Sequence, residues 1–488
     1  MIKTILVVGA SGYIGSHLVP ELANNGYHVK ATGRSLSLMQ KRGWGNIHNI
    51  ELIELDLSLK TDLTPILEGV DAVFFLVHGM AHGHDFIEYE LDVARHFSFA
   101  LKQSQIQRVI YLGALQPDHG HSKHLAARKA TGEILRESGK IVTELRSGIV
   151  IGPGSSAFEV MRDFVYHLPI MFTPKWVRSR NSPIALRNLL YYLTELLHFM
   201  PSRHQILDVS GPEPLTYSQQ MKQLGTLMGK NIHIVPLPFL SPKLAAQWLR
   251  VITSVPTDIA KALIGGLQHD LTAHGEAIQA LIPQYLLTYD EAVEEALAHE
   301  EEVVRSEMWG FDPDALARWN QGFGYYPKHA GYTLKTDASK EDLWKMVTQI
   351  GGKQGYFYAN GLWRIREWLD ALVGGNALKR TPRTGDEGSL KLGDYIDSWK
   401  VINIHKNRFL SLLFGMKAPG LGRLEFSIDD HGDYRTIDIR AWWHPAGFMG
   451  LLYWFAMMPA HLFIFRGMTF ALVKACKAQA KEGKTITQ

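Results

Sequence analysis

Gly9, Gly12 and Gly15 recur at every third position between an apolar run, Ile5-Leu6-Val7-Val8, and an amphipathic run from Ser16 to Leu22. A pyrophosphate asks three things of a backbone: a tight turn, close approach with no intervening Cβ, and free N–H groups at a helix start, where the peptide dipoles favour an anion. The segment Gly9-Ala10-Ser11-Gly12-Tyr13-Ile14-Gly15 meets all three if a strand precedes it and a helix follows. That setting separates it from a chance glycine triplet. The second predicted strand ends in Ala31-Thr32-Gly33-Arg34-Ser35. An NAD site usually places an acid there for the ribose hydroxyls, whereas Arg34 can pair with a 2′-phosphate, so NADP is expected over NAD. The other reading of Arg34 is a solvated surface arginine. Asp56-Leu57, after the third strand, stands where an aspartate often accepts from the adenine amine; a plain turn aspartate is the alternative. Leu76 and Val77, closing the fourth strand, are expected beside the nucleotide. His78 follows them at the carboxyl edge, where a doubly wound sheet binds its ligands, and is a candidate catalytic residue near the nicotinamide, with a capping or core histidine as the alternative.

These residues need a parallel sheet to bring them together. Short β-branched runs alternate with helical stretches up to about residue 150, the pattern of crossover-connected parallel strands. Strands are predicted at Thr4–Val8, Val29–Thr32, Ile50–Glu54, Ala72–Leu76, Arg108–Leu112 and Val142–Arg146. From Gly152 to about Glu300 the chain turns mainly helical, with short strands near Ile206–Val209 and Ile232–Val235, and is read as a substrate-side lobe. The expected division is therefore a Rossmann domain with its lobe over 1–300, a charged linker over 301–320, and a second domain over 321–488. The fold class is α/β, a doubly wound parallel sheet, followed by an α+β domain.

The spacing of Gly9, Gly12, Gly15 and Asp56, then Leu135-Arg136-Glu137-Ser138-Gly139 and Leu145-Arg146-Ser147-Gly148, is similar to the atypical short-chain dehydrogenases/reductases. The likeness covers about 300 residues. Leu76-Val77-His78-Gly79-Met80, Tyr111-Leu112-Gly113-Ala114-Leu115 and Leu168-Pro169-Ile170-Met171 resemble a bacterial subgroup known only as NAD(P)-binding proteins, with a C-terminal domain of unknown function. In the typical family a tyrosine donates a proton to the substrate oxygen, and a lysine four residues later lowers its pKa and holds the ribose. The resemblance aligns those positions with His124 and Arg128, so neither family residue is present; a one-residue slip gives Leu125 and Lys129. Histidine titrates near neutrality and can give a proton, so His124 with Arg128 one turn away is a candidate replacement pair. Arginine stays protonated and can anchor ribose or phosphate without moving protons. The alternative is a domain that binds nucleotide without turnover. His78, His82, His84, His119, His121 and His124 hint at a metal, but the spacing is loose and no cysteine or clear acid completes a set, so no metal site is expected.

Composition narrows the classes further. With 46% hydrophobic and 20% charged residues the chain is globular, and a formal charge of +3 on 488 residues gives no field for nucleic acid. One cysteine, Cys476, excludes an intramolecular disulfide and fits a reducing, cytoplasmic compartment. Nine of the twelve tryptophans lie beyond residue 300, where strands at Arg423–Ile428 and Arg435–Ala441 and a long apolar terminal helix replace the alternating pattern. That order resembles the START-like helix-grip architecture. A curved sheet closing on a long helix implies a cavity for a hydrophobic small molecule, here lined by Trp363, Trp368, Trp399, Trp442, Trp443 and Trp454, with ordinary core packing as the alternative. The run Ala446 to Val473 is long enough to span a bilayer, but Pro459 is expected to break it, and His461 and Arg466 follow. Peripheral membrane contact through this segment is the milder expectation.

Overall fold

Burial explains the first strand: Ile5, Leu6, Val7 and Val8 are all inaccessible, so the run reads as continuously apolar because helices cover both faces of its sheet. In the computed structural model, residues 2–79, 85–120, 122–237, 249, 251–307, 313–320, 322–352, 355–375 and 390–485 are described. Two units emerge, Met1–Glu300 and Glu301–Gln488.

In the first unit, β1 (Thr4–Val8), β2 (His28–Gly33), β3 (Ile50–Glu54), β4 (Ala72–Phe75), β5 (Arg108–Ala114), β6 (Ile141–Ser147) and β7 (Gln205–Val209) form one seven-stranded sheet. Its order is β7-β6-β5-β4-β1-β2-β3, and every pairing is parallel. The order reverses between β1 and β4, the switch point at which such sheets hold ligands. Helices α1 (Tyr13–Asn24), α2 (Phe86–Gln103) and α3 (Lys123–Arg136) cover the faces. The run near Ile206, expected in the helical lobe, returns instead to the main sheet as β7, with Gln205–Val209 in register beside Thr143–Ser147 of β6.

The lobe has its own core, in which α4 (Ser156–His167) packs with Tyr217, Met221 and Leu224 against α5 (Tyr289–Glu307). Four charged side chains are buried there. Arg162 pairs with Glu159 and with Glu300, both at 2.8 Å, while Asp163 accepts from Thr253 Oγ1 at 2.7 Å and from the Ser254 N–H at 3.0 Å. One guanidinium faces more carboxylates than it neutralises. Burial, against the pull of Arg162 and with the push of Glu300, raises Glu159 to about 8. An acid raised on folding stabilises the fold fully below its unfolded pKa of about 4.5 and loses that contribution as pH rises through about 8. Thermal melts should therefore show Tm falling between pH 5 and pH 9 on this account, and Glu159→Gln should flatten that part of the slope. An unchanged slope would remove Glu159 as its source.

In the second unit, β8 (Lys328–Thr336), β9 (Tyr395–Ile396), β10 (Trp399–His405), β11 (Phe409–Phe414), β12 (Gly420–Asp430) and β13 (Arg435–Pro445) form an antiparallel sheet in the order β8-β13-β12-β11-β10-β9. Helices α6 (Lys340–Thr348), α7 (Asn360–Leu372) and α8 (Gly447–Thr485) pack on it. Trp454, Ile464, Phe465, Met468, Leu472 and Cys476 of α8 are buried in the core with sheet residues such as Leu424, Ile437 and Ile439. Two sequence expectations are corrected here. Pro459 lies inside α8 and does not break it; proline removes a single backbone hydrogen bond, and anchoring on both sides of it holds the helix together. Part of the charged stretch read as linker is folded: Ala315 and Trp319 are buried with Tyr325, Ile402 and Leu413, and Lys400 reaches Asp314 at 2.7 Å.

Candidate functional site

At the switch point the carboxyl ends of β1, β2 and β4 open into a cleft of about 660 Å³. Val8, Gly9, Ser11 and Gly12 line it from one side, Thr32, Gly33 and Arg34 from a second, and Leu55, Leu57, Leu76, Val77, His78 and Tyr89 complete it. Gly9 sits at φ +90°, and a Cβ there would press on Leu76 and Val77 at 3.2–3.3 Å. A Cβ on Gly15 would lie 2.5 Å from the Gly9 carbonyl oxygen and 2.7 Å from Ala10 Cα, so this position sets how closely α1 meets the turn. Gly12 caps α1 with no side-chain hydrogen bond, and the first turn carries no acid. The α1 amino end therefore faces the cleft with its dipole uncompensated. Backbone donors, space and field all suit a pyrophosphate.

The other predicted nucleotide residues fall around this cleft with different roles. Arg34 is exposed at the end of β2, and its guanidinium hydrogen-bonds the Tyr89 phenol. Burial raises the Tyr89 pKa, with Arg34 pulling down and Asp56 pushing up, so these three side chains share one polar neighbourhood. Asp56 itself accepts from the Ser58 N–H at 2.9 Å and from Ser58 Oγ at 2.7 Å, an aspartate-capped turn that fixes Leu57 in the wall. Ser11 lies against Gly33, where a Cβ would meet Ser11 Oγ at 2.9 Å. Ile14 packs against the core of the parallel sheet, and the Tyr13 ring stands edge-on to His17 at 5.3 Å with its hydroxyl near Gly152. Neither residue is among those that line the cleft, and their side chains anchor the helix.

Beyond the cleft, Arg128 is buried rather than offered to a ligand. It pairs with Glu90 at 3.0 Å, donates to the Val77 carbonyl at 2.8 Å and to the Leu112 carbonyl, and lies 4.9 Å over the Tyr111 ring. Glu90 in turn accepts from the Gly79 N–H at 2.8 Å and from Thr131 at 3.3 Å. This buried ion pair fastens the ends of β4 and β5, and with them Val77 and His78, to α2 and α3. Burial works against both charges, yet each partner more than offsets it, so Glu90 is held below and Arg128 above its usual range. The sequence aligned Arg128 with a ribose anchor; the structure gives it a tie within the protein.

His124, one turn earlier on α3, is partly buried. Burial and the nearby Arg128 charge lower it to about 4 despite Glu90, with His78 adding to the effect. With its pKa so lowered, His124 is an uncharged imidazole at neutral pH, with a ring N–H that can donate a hydrogen bond. His78 is exposed at the cleft rim. Met80, His82, His84 and His121 lie outside the described residues, and among the described residues no group of histidine, cysteine or acid side chains could hold a metal ion. Tyr89 and Glu90 were missed in the sequence. Both sit on α2, far from any motif, and only folding shows where they point.

The second unit has a cavity of its own, about 650 Å³, between the sheet and helices α7 and α8. Trp363, Trp399, Trp442, Trp443 and Trp454 line it as expected, whereas Trp368 points to solvent. The indole N–H groups of Trp363, Trp442 and Trp443 find no acceptor among the described residues, and Arg423, paired with Glu425 at 2.6 Å, forms part of the wall. Burial lowers His461, also in the wall, to about 4.

Comparison with known proteins agrees with this division. Residues 9–162 match the family described as NAD(P)H-binding, and residues 329–468 match the family described as Protein of unknown function (DUF2867). No curated protein matches the chain. Among solved structures, the triphenylmethane reductase of Citrobacter sp. is similar at 15% identity and a TM-score of 0.50, covering 61% of this chain and 99% of its own. The same enzyme complexed with NADP(H) gives 16% and 0.49, covering 60% and 99%. UDP-glucuronic acid 4-epimerase from Bacillus cereus, in complex with UDP-glucuronic acid and NAD, gives 15% and 0.48, covering 62% and 100%. At such identities the likeness is one of fold. Residues 9–162 are thus similar to the NAD(P)H-binding family and lie on a parallel-sheet Rossmann-like fold. The second unit, an antiparallel sheet packed on one long helix, is similar over residues 329–468 to the DUF2867 family.

Proposed function

We propose that the chain is an NADPH-dependent reductase acting on an apolar carbonyl or enone-like small molecule, with the second unit, read as a START-like helix grip, capturing or shielding that molecule. The observation that carries the reading is the pairing of Arg34 with Tyr89 at the rim of a glycine-walled cleft, at the position where a 2′-phosphate would need a cation. The N–H groups at the start of α1 hold the pyrophosphate, Arg34 meets the 2′-phosphate, and Leu57, Leu76 and Val77 flank the bases. NADPH, when bound, supplies the hydride. The Glu90–Arg128 pair keeps the β4 end rigid, so that His78 stays at the rim in contact with water for proton exchange. His124, uncharged, can donate a hydrogen bond from its ring N–H to a substrate oxygen and so polarise the carbonyl, and the alkoxide that hydride addition leaves takes its proton from water at the open rim.

A second reading, a non-catalytic NADP(H) sensor whose C-terminal unit binds a hydrophobic ligand or a protein, draws support from the absent tyrosine–lysine pair. His124→Ala separates the two. The reductase reading expects NADPH oxidation with apolar carbonyl compounds to fall by roughly 100-fold while nucleotide affinity holds, as for loss of one polarising group. Unchanged turnover would leave the sensor. For Arg34→Ala, loss of a charge-assisted contact worth about 1.5–3 kcal/mol should weaken NADPH roughly 10- to 100-fold and leave NADH unchanged. Equal loss for both nucleotides in a fluorescence titration would refute the NADP assignment.

A further inference from the structure

Helix α7 is inverted relative to an ordinary surface helix. Its two acids are inside: Asp370 is 0% and Glu367 3% exposed, and Asp370 accepts from the Lys417 N–H at 2.6 Å. Trp363 apart, which faces the cavity, its large apolar side chains are outside, with Leu362, Ile365, Trp368, Leu369 and Leu372 41–63% exposed. Leu362, Ile365, Leu369 and Leu372 recur at steps of three and four, so they form one stripe along the helix. An amphipathic helix normally settles with its apolar face in the core; here the buried carboxylates fix the opposite orientation and leave a continuous apolar strip to water. Among the described residues, two exposed charges near the strip are basic: Arg364 on α7 itself and Lys417, whose ammonium reaches the Val373 carbonyl at the helix end.

The neighbouring helix repeats the pattern. Over Gly447–Gln479, α8 is long and apolar enough to cross a bilayer, yet only 28% of its most apolar window is buried. Phe448, Met449, Leu452, Leu462 and Phe463 are exposed, and Arg466 is the first charge the helix carries. The two helices meet where Arg366 reaches the Tyr453 hydroxyl at 3.4 Å, and together they wall the tryptophan-lined cavity, with exposed Leu362 at its edge.

We propose that α7, together with the outward face of α8, docks on a bilayer carrying anionic headgroups. Apolar stripe and Trp368 enter the headgroup–acyl boundary, as an interfacial helix does, and Arg364 and Lys417 meet the headgroups. The chain does not cross the membrane: the other face of α8 is committed to the sheet through Trp454, Phe465, Met468 and Leu472. The cavity wall then lies against lipid, giving an apolar molecule a path in that avoids water.

The test uses the full chain and vesicles of phosphatidylcholine with phosphatidylglycerol at about three to one, a composition chosen for its negative surface. Wild-type protein should co-sediment with these vesicles and less with phosphatidylcholine alone. The Leu369→Glu/Leu372→Glu variant, altered only at solvent-facing positions, should lose at least about tenfold in partitioning with an unchanged circular-dichroism melt, as two carboxylates replace buried methylenes. Brominated lipid should quench wild type more than Trp368→Phe. No sedimentation, equal binding by the variant, or a wild-type dimer that the double substitution turns into monomers would overturn the proposal; the last would make the strip an interface between copies. None of these outcomes depends on nucleotide binding or turnover.

Discussion

Arg128→Met should destabilise the first unit by about 3–5 kcal/mol, because it leaves Glu90 charged, buried and without its cation. Glu90 is 1% exposed, and what would remain are the Gly79 N–H and the Thr131 hydroxyl, neither of which carries charge. For a unit of this size the loss corresponds to a fall in Tm of roughly 10 °C. The double variant Glu90→Leu/Arg128→Met should recover most of it, since removing both charges also removes both desolvation costs. A thermal melt of the two variants decides the matter. A mild single variant, or a double variant as unstable as the single, would show that the pair is not the tie between the β4 and β5 ends. The double variant is also expected to keep nucleotide binding, because the cleft is walled by backbone and by side chains other than these two.

The second large effect falls on Gly15. Gly15→Val places carbon 2.5 Å from the Gly9 carbonyl oxygen and 2.7 Å from Ala10 Cα, neither of which can move without unseating the turn. Relief requires α1 to lift away, which takes its amino end from the place where a pyrophosphate would sit. Nucleotide affinity should fall by at least about 100-fold, near 3 kcal/mol, with overpacking adding about 1–3 kcal/mol of lost stability. Gly12→Ala is the informative companion. Its Cβ meets only the Gly9 carbonyl, at 3.2 Å, so the apo fold should be nearly untouched while the phosphate approach narrows. Full NADPH affinity in both variants, measured by calorimetry, would mean that the anion does not rest on this turn.

What the sequence disclosed was what local pattern controls. The β1 boundaries Thr4–Val8 and the β3 boundaries Ile50–Glu54 are those expected, because each strand is an apolar run closed by a turn. The glycine turn was legible for the same reason, and Arg34 because its position is defined by the end of β2. Residues whose role depends on distant packing were not. Tyr89 meets Arg34, and Glu90 meets Arg128, across dozens of residues, and helix periodicity marks Glu90 as one more polar position. His124 looked like an acid from its pKa in water; burial beside Arg128 reverses that.

The second unit shows the same division. Five tryptophans were rightly assigned to the cavity, but Trp368 belongs to the opposite face of α7, since Asp370 and Glu367 take the inner one. Pro459 signalled a break that tertiary contacts on both sides of it prevent. β7 was placed in the lobe because its short run carries no mark of which sheet it joins; pairing with β6 decides that.

Nucleotide binding here depends on a phosphate anion held at the α1 amino end, and calorimetric titration of the full chain with NADPH and with NADH tests that most directly. Saturable binding of both, tighter for NADPH, with the preference abolished in Arg34→Ala, is the result predicted. Absence of heat and of any thermal stabilisation with either nucleotide would contradict it.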